Sequence, residues 1–188
     1  TIYSRCQILS LPLLSQNDLA KALVQNHDLE QNQAQSIAKT AHGDYYKAQE
    51  LIQDQGEEPL FEQLFLQWAR GAFKAKGNKK AIQELLSWSD HMAALGRETQ
   101  KSFLTYCGGL IRQAFLTHYK VTPLVYYKEH NEDFHLSKLA PFIHQNNISS
   151  LQNALEEAQQ HIERNGNAKI IFTDLAVQLT RLLHQSAA

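Results

Sequence analysis

Residues 59–73 have the sequence PLFEQLFLQWARGAF, and this stretch indicates the fold class. Its apolar side chains recur every three or four positions, the period of an α-helix with one buried face. Pro59 suits the first turn of a helix, where its missing N–H costs nothing, and Lys76-Gly77-Asn78 ends the pattern. We predict a helix in an all-α domain, with a stripe formed by Leu60, Phe61, Leu64, Phe65, Trp68 and Phe73.

The same period continues toward the C-terminus. A second helix is predicted to carry Ile82, Leu85, Leu86 and Met92, and a third, after Gly96, to carry Phe103, Cys107, Leu110, Ile111, Ala114 and Phe115. Two glycines, Gly108 and Gly109, lie inside the third helix, where each costs about 1 kcal/mol relative to alanine. We therefore expect a neighbouring element to pack closely against them.

The last third of the chain is predicted to be a long connection followed by helices. Residues 121–134 contain Pro123 and many polar side chains, which favour a loop. A short helix is expected over 136–144, then a helix capped by Ser149 or Ser150 with Leu151, Ala154, Leu155, Ala158 and Ile162 inside. After the turn at 165–167, a final helix with Ile171, Leu175, Leu179 and Leu182 should complete an antiparallel hairpin.

On the N-terminal side, residues 15–56 predict three short helices. Ser15 and Asp18 have the spacing of a capping box, and Asp44 can cap the third helix. Gly43 is placed to end the second helix in a left-handed conformation. The core is expected from Leu19, Leu23, Ala34, Ile37, Ala38, Ala41, Ala48, Leu51 and Ile52. Residues 54–58 resemble a linker, and any strand is confined to the first dozen residues.

Composition limits the classes of function. The 188 residues are 43% hydrophobic, and 18 Lys and Arg nearly balance 19 Asp and Glu. Such a chain has no long-range field to gather nucleic acid or anionic lipid, so any DNA contact must be local or shared with partners. Cys6 and Cys107 suggest two free thiols in a reducing cytoplasm, and we expect no membrane span. Because Met92 is the sole methionine, we expect a fragment of a longer product.

No motif in the sequence predicts catalysis by this chain alone. Neither a phosphate-binding P-loop nor a G-x-G-x-x-G turn occurs, so no bound cofactor is expected. The nine histidines lack metal-ligand spacing and are expected at the surface; His130 and His135 fall in the predicted loop. Cys107 should be core. Lys74, Lys76, Lys79 and Lys80 form the one basic cluster, interpreted as a solvated helix junction, with a phosphate contact as the alternative.

The first residues carry a more specific motif. Residues 1–13, TIYSRCQILSLPL, resemble the Ser-Arg-Cys motif that ends the nucleotide-binding domain of AAA+ clamp-loader subunits. The turn Ala41-His42-Gly43-Asp44 and the order of helices after it are also similar to that family. The resemblance implies three parts: the end of the AAA+ core (1–14), a three-helix lid (15–56) and a helical collar that assembles subunits (57–188).

The same resemblance assigns roles to individual residues. Ser4, Arg5 and Cys6 form the motif, and Arg5 is the implied arginine finger, acting in trans on ATP held by a neighbouring subunit. ATP-binding relatives have a sensing arginine where this chain has Tyr46 followed by Lys47, which favours a non-ATPase member. The implied partners are the motor and delta subunits and, through the assembled loader, the sliding clamp and primer-template DNA.

Two alternatives remain open. The chain could be a stand-alone helical adaptor or scaffold in which the Ser-Arg-Cys string is accidental. It could also be an ATP-binding motor subunit of the same family, with its P-loop upstream of Thr1.

Overall fold

The computed structural model describes residues 12–27, 29–54 and 58–186, and within these ranges the chain is all-α, with no β-strand. Arg5 and the rest of the Ser-Arg-Cys motif lie outside the described residues. The chain divides into two compact units, Thr1–Gly56 (unit one) and Glu57–Ala188 (unit two).

Unit one contains three helices: α1 (Gln16–His27), α2 (Gln31–Ala41) and α3 (Tyr45–Asp54). The predicted Ser15 cap is confirmed, since the Asp18 backbone N–H donates to Ser15 Oγ at 3.1 Å. The Asp18 carboxylate accepts from the Ser15 hydroxyl at 2.6 Å, rather than from the backbone N–H as in a full capping box. Asp44 Oδ1 likewise accepts from the backbone N–H groups of Tyr46 and Lys47, at 2.9 and 3.2 Å. The buried core of unit one is Leu19, Ala20, Leu23, Ala34, Ile37, Ala38, Ala41 and Ala48, with Leu51 and Ile52 packed against it.

Unit two has six α-helices among its described residues: α4 (Glu58–Ala75), α5 (Lys79–Ala94), α6 (Arg97–His118), α7 (Leu136–Leu139), α8 (Ile148–Glu163) and α9 (Ala168–Leu183). Short 3-10 turns occur at Thr122–Leu124 and Ala140–Phe142. Helices α4, α5 and α9 pack against one another, α6 packs on α8, and α8 and α9 form the predicted hairpin.

Aromatic rings fill the centre of unit two. Trp68 of α4 and Trp88 of α5 stack in parallel with centroids 5.1 Å apart, and Phe103 of α6 lies within about 6.4 Å of both. Phe172 of α9 meets Trp88 edge-on at 5.8 Å. The Trp88 indole N–H donates to the Leu64 carbonyl at 3.1 Å, so this buried ring has its polar group satisfied.

Three residues of the predicted stripes are not core. Leu60, Ile82 and Leu86 are exposed, whereas Leu85 and Met92 are buried as predicted. The helical period places Ile82 and Leu86 one turn apart on the flank of α5, beside the buried face rather than within it. Apolar character alone therefore overestimated the width of the buried stripe.

Two local predictions need correction. Helix α8 begins after Asn147, not after Ser149 or Ser150, and Asn147 is itself fully buried. The prediction of close packing is right for Gly108, where a Cβ would lie 3.3 Å from Gln152 Oε1, but wrong for Gly109, which faces open space. None of the helices in the described ranges is long and apolar enough to span a membrane.

Candidate functional site

The described chain begins shortly after the Ser-Arg-Cys motif and is held at once by the α2–α3 turn. The Leu14 N–H donates to the Gly43 carbonyl at 3.1 Å. Gly43 has φ +87° and a Cβ built there would lie 2.4 Å from the Leu14 carbonyl oxygen. His42 is already left-handed, so the reversal predicted at Gly43 begins one residue earlier. Glycine is required at position 43 because both its φ and the adjacent backbone exclude a side chain.

Tyr46 and Lys47, which the resemblance aligns with a nucleotide-sensing arginine, lie on the surface of unit one. The side chain of Tyr46 is 80% exposed, and Lys47 is also exposed. Both positions are in the first turn of α3, set by the Asp44 cap.

Unit two exposes four large apolar side chains on two adjacent helices. Ile82 and Leu86 of α5 are 47% and 44% exposed, and Ile170 and Val177 of α9 are 67% and 44% exposed. The two pairs have i, i+4 and i, i+7 spacing, so each pair shares one face of its helix. We call these four residues the apolar ridge.

Contacts between α5 and α9 show that the two pairs are neighbours. Asp90 of α5 and Lys169 of α9 form an ion pair at 2.6 Å, and α5 and α9 run antiparallel, since Trp88 meets Phe172. Asp90 follows Leu86 and Ile82 along one helix flank at intervals of four residues, so that flank adjoins α9. Counting back from the ion pair in antiparallel register places Ile82 level with Val177. The two pairs are therefore exposed at matching levels of two helices that pack against each other.

The buried carboxylate of Glu62 joins α4 to the loop over residues 125–135. Glu62 of α4 is fully buried, and it accepts hydrogen bonds from the Tyr127 hydroxyl and from the backbone N–H of His130 at 3.0 Å. Since Tyr127 donates its one proton to Glu62, the Tyr106 hydroxyl must donate to Tyr127, at 2.5 Å. The His130 ring also contacts Glu58 at 3.1 Å. These bonds attach the 125–135 loop to α4 and α6.

This network was missed at the sequence level, although one feature could have found it. Glu62 lies on the apolar face of its helix, three residues before buried Phe65. Burial raises the pKa of Tyr127. The nearby Tyr106 and the hydrogen bond between Tyr127 and Glu62 raise that pKa further. Burial also raises the pKa of Tyr106 well above its ordinary value. Both phenols therefore stay protonated as hydrogen-bond donors, which suits a structural role better than proton transfer near neutral pH.

The remaining candidate residues are a cysteine, the histidines and four lysines. Cys107 is core as predicted, and burial raises the pKa of its thiol, so it is a poor nucleophile. His144 is buried, contrary to the predicted surface position, and lies 3.2 Å from the Gln185 carbonyl. Within the described ranges, no three His, Cys, Asp or Glu side chains cluster as metal ligands. Lys74, Lys76, Lys79 and Lys80 are all exposed around the α4–α5 turn.

Comparison of the chain with protein-family models, curated proteins and solved structures found no match.

Proposed function

We propose that the chain is the lid and collar part of a non-ATPase clamp-loader subunit, similar to delta prime of bacterial DNA polymerase III. Unit one would be the lid and unit two the collar that joins neighbouring subunits. The protein would serve DNA replication in the cytoplasm as part of the polymerase holoenzyme, a nucleotidyltransferase complex, without an independent activity of its own.

The observation that carries this proposal is the apolar ridge of unit two. Large apolar side chains exposed together on packed helices are typical of protein–protein contacts, and a ring of subunits needs such helix faces. Tyr46, in place of the sensing arginine of ATP-binding relatives, supports a non-ATPase subunit, and its side chain is exposed. The partners would be the motor and delta subunits.

Arg5 would then act outside its own chain. Phosphoryl transfer places negative charge on the transferred phosphate, and a guanidinium presented by a neighbour stabilises that charge, by about 10³ to 10⁵ in rate. Arginine offers a bidentate fork that lysine lacks. The ATP belongs to the adjacent motor subunit, and the loader then acts on the sliding clamp and primer-template DNA.

The role of the apolar ridge in assembly and the role of Arg5 in ATP hydrolysis can be tested separately in a reconstituted loader. Ile82→Glu combined with Val177→Glu should abolish co-elution with motor subunits, whereas Glu84→Gln on the same helix should not. Arg5→Ala should leave assembly intact and lower ATPase activity stimulated by clamp and DNA. Intact assembly of the double variant argues against the ridge as the interface, and unchanged ATPase with Arg5→Ala rules out the finger.

The two alternatives make different predictions for the same proteins. A stand-alone adaptor would show no affinity for loader ATPases. A motor subunit would have a P-loop upstream of Thr1, and the complete protein would bind ATP.

A further inference from the structure

One end of unit two carries a concentration of positive charge that subunit assembly does not require. Lys74, Lys76, Lys79 and Lys80 lie within seven residues around the α4–α5 turn, and all four side chains are exposed. Among the residues that the structure describes, none of these ammonium groups forms an ion pair with a carboxylate. We call these four residues the basic turn.

The segments nearest the basic turn are richer in basic than in acidic residues. Phe73, next to the basic turn, contacts Phe142 at 4.4 Å and His184 at 6.0 Å, which brings residues 140–147 and 175–186 to the same end. Together with residues 63–83, these segments contain six Lys and Arg, and the acids Glu62, Glu84 and Asp174 lie directly at their ends. The rest of the chain has twelve Lys and Arg against 19 acids, so this end is more basic than the remainder.

Antiparallel register places one of these six cations, Arg181, near the level of Lys79. Lys79 precedes Asp90 by eleven residues, and Thr180 follows Lys169 by eleven, so the Asp90–Lys169 ion pair places Lys79 level with Thr180. Arg181, which is exposed, is the next residue along α9. The positive surface therefore extends from the α4–α5 turn to the end of α9.

Two of the four lysines oppose the local preference of a helix start, whereas Lys74 lies in the last turn of α4, where a cation is favoured. Lys79 and Lys80 occupy the first turn of α5, which contains no acidic residue, and its cap is the neutral Asn78. The positive end of the helix dipole favours acidic side chains there and disfavours lysine. In the described part of the chain neither Lys79 nor Lys80 forms an ion pair that would offset this repulsion, whereas a bound polyanion would relieve it.

We infer that the basic turn binds the phosphate backbone of a nucleic acid without reading its sequence. Duplex DNA carries about one charge per 1.7 Å of axis, a density that one lysine-rich turn can match and an acidic protein surface does not offer. Residues 74–80 themselves present no exposed apolar side chain, and Phe142 is the exposed apolar side chain in contact with Phe73 beside them, so the vesicle measurement below separates lipid from nucleic acid. Lysines act as point charges on phosphates, and this contact is independent of the proposed subunit assembly.

The dependence of binding on salt tests this inference directly. The probes are a fluorescein-labelled DNA duplex and the corresponding single strand, titrated with the 188-residue chain at KCl concentrations from about 20 to 200 mM. Each neutralised phosphate contributes about 0.9 to the slope of log K against log salt for duplex, and about 0.7 for a single strand. We expect a slope of about −3 to −4 for duplex, and a loss of about one unit with Lys79→Gln alone.

A matched pair of variants keeps the net charge equal. Lys74, Lys76, Lys79 and Lys80 changed together to Gln should weaken duplex binding at least about tenfold at low salt and remove most of the slope. Lys21, Lys39, Lys47 and Lys128 changed together to Gln should keep both. Circular dichroism confirms that both variants are folded. Equal losses in the two variants, or no binding of either probe by the unmodified chain, would overturn the inference.

Two further sets of measurements test other polyanions and separate nucleic-acid binding from subunit assembly. Vesicles of phosphatidylserine and phosphatidylcholine, and polyglutamate, should bind more weakly than duplex; equal binding through the same lysines would contradict nucleic-acid recognition. The basic-turn variant should still assemble with motor subunits, and a neutral Ile82→Ser, Val177→Ser variant, which adds no charge next to Lys79, should still bind duplex. The two proposals can therefore fail independently.

Discussion

At the scale of single residues, Glu62 is a buried side chain on which two hydrogen-bond donors depend. Its carboxylate satisfies the Tyr127 hydroxyl and the His130 N–H inside unit two. Glu62→Ala would leave both donors without an acceptor, and we expect a loss of about 2–4 kcal/mol in the free energy of unfolding. Urea denaturation followed by tryptophan fluorescence measures this loss. Exposed Glu132→Gln is the control, and a similar effect of both changes would contradict the structural role of Glu62.

The paired phenols predict sensitivity to alkaline pH. In the unfolded chain a tyrosine ionises near pH 10, but burial raises the pKa of Tyr106 and Tyr127 in the folded chain. The folded state then retains more protons, so the stability present at neutral pH is lost as the pH rises above about 10. Cys107 adds a similar loss from about pH 8.5.

Tyr127→Phe should therefore flatten the decline of stability above pH 10, even though it lowers stability at neutral pH. Tyr119→Phe, at an exposed position of unit two, should leave the decline unchanged. Urea midpoints measured from pH 7 to 11 provide the comparison. Parallel curves for Tyr127→Phe and the unmodified chain would refute the assignment.

At the scale of elements, the turn between α2 and α3 depends on Gly43 in two ways. Gly43 and Gly77 both have positive φ, +87° and +81°, but a Cβ meets the Leu14 backbone only at Gly43. Gly77→Ala should cost about 1–2 kcal/mol, the strain of a left-handed alanine. Gly43→Ala should cost about 3 kcal/mol or more, because the contact with Leu14 must also shift. Amide hydrogen exchange in α2 and in α5 measures the two effects; equal losses would show that Leu14 adds nothing.

Helices and their caps follow from local rules, which is why most of them could be predicted. Periodicity located α4 and α6, and the Ser15 and Asp44 caps need only side chains within three residues. Long-range contacts decide the rest. Asn147 precedes α8 because its amide donates to the carbonyls of Phe142 and Leu182, the latter 35 positions away.

The basic turn and the apolar ridge also differ in how far the sequence predicts them. The basic turn is visible in the sequence because its four lysines are close together along the chain. The apolar ridge is not, because Ile82 and Val177 come together only when α5 packs against α9. A periodic stripe does not distinguish an apolar side chain that faces the core from one on the helix flank. Similarly, Glu62 needs Tyr127 and His130, far along the chain, to explain its burial.

At the scale of the whole molecule, the two units have separate cores of very different composition. Five of the eight buried residues in unit one's core are alanines, whereas unit two's core contains Trp68, Trp88 and Phe103. Apolar burial contributes about 25 cal/mol per Å², and alanine offers little area. A unit of this size with so few large side chains is only marginally stable.

We therefore expect the chain to unfold in two steps, with unit one first. Both tryptophans are in unit two, so their fluorescence reports that unit alone, while far-UV circular dichroism follows the helices of both. In a urea titration, part of the helical signal should disappear before the tryptophan emission changes. Ala38→Gly, in the buried face of α2, should move only the first step, and Ala114→Gly in α6 only the second. Coincident transitions by the two probes, or a shift of both steps by either change, would show that the units unfold as one.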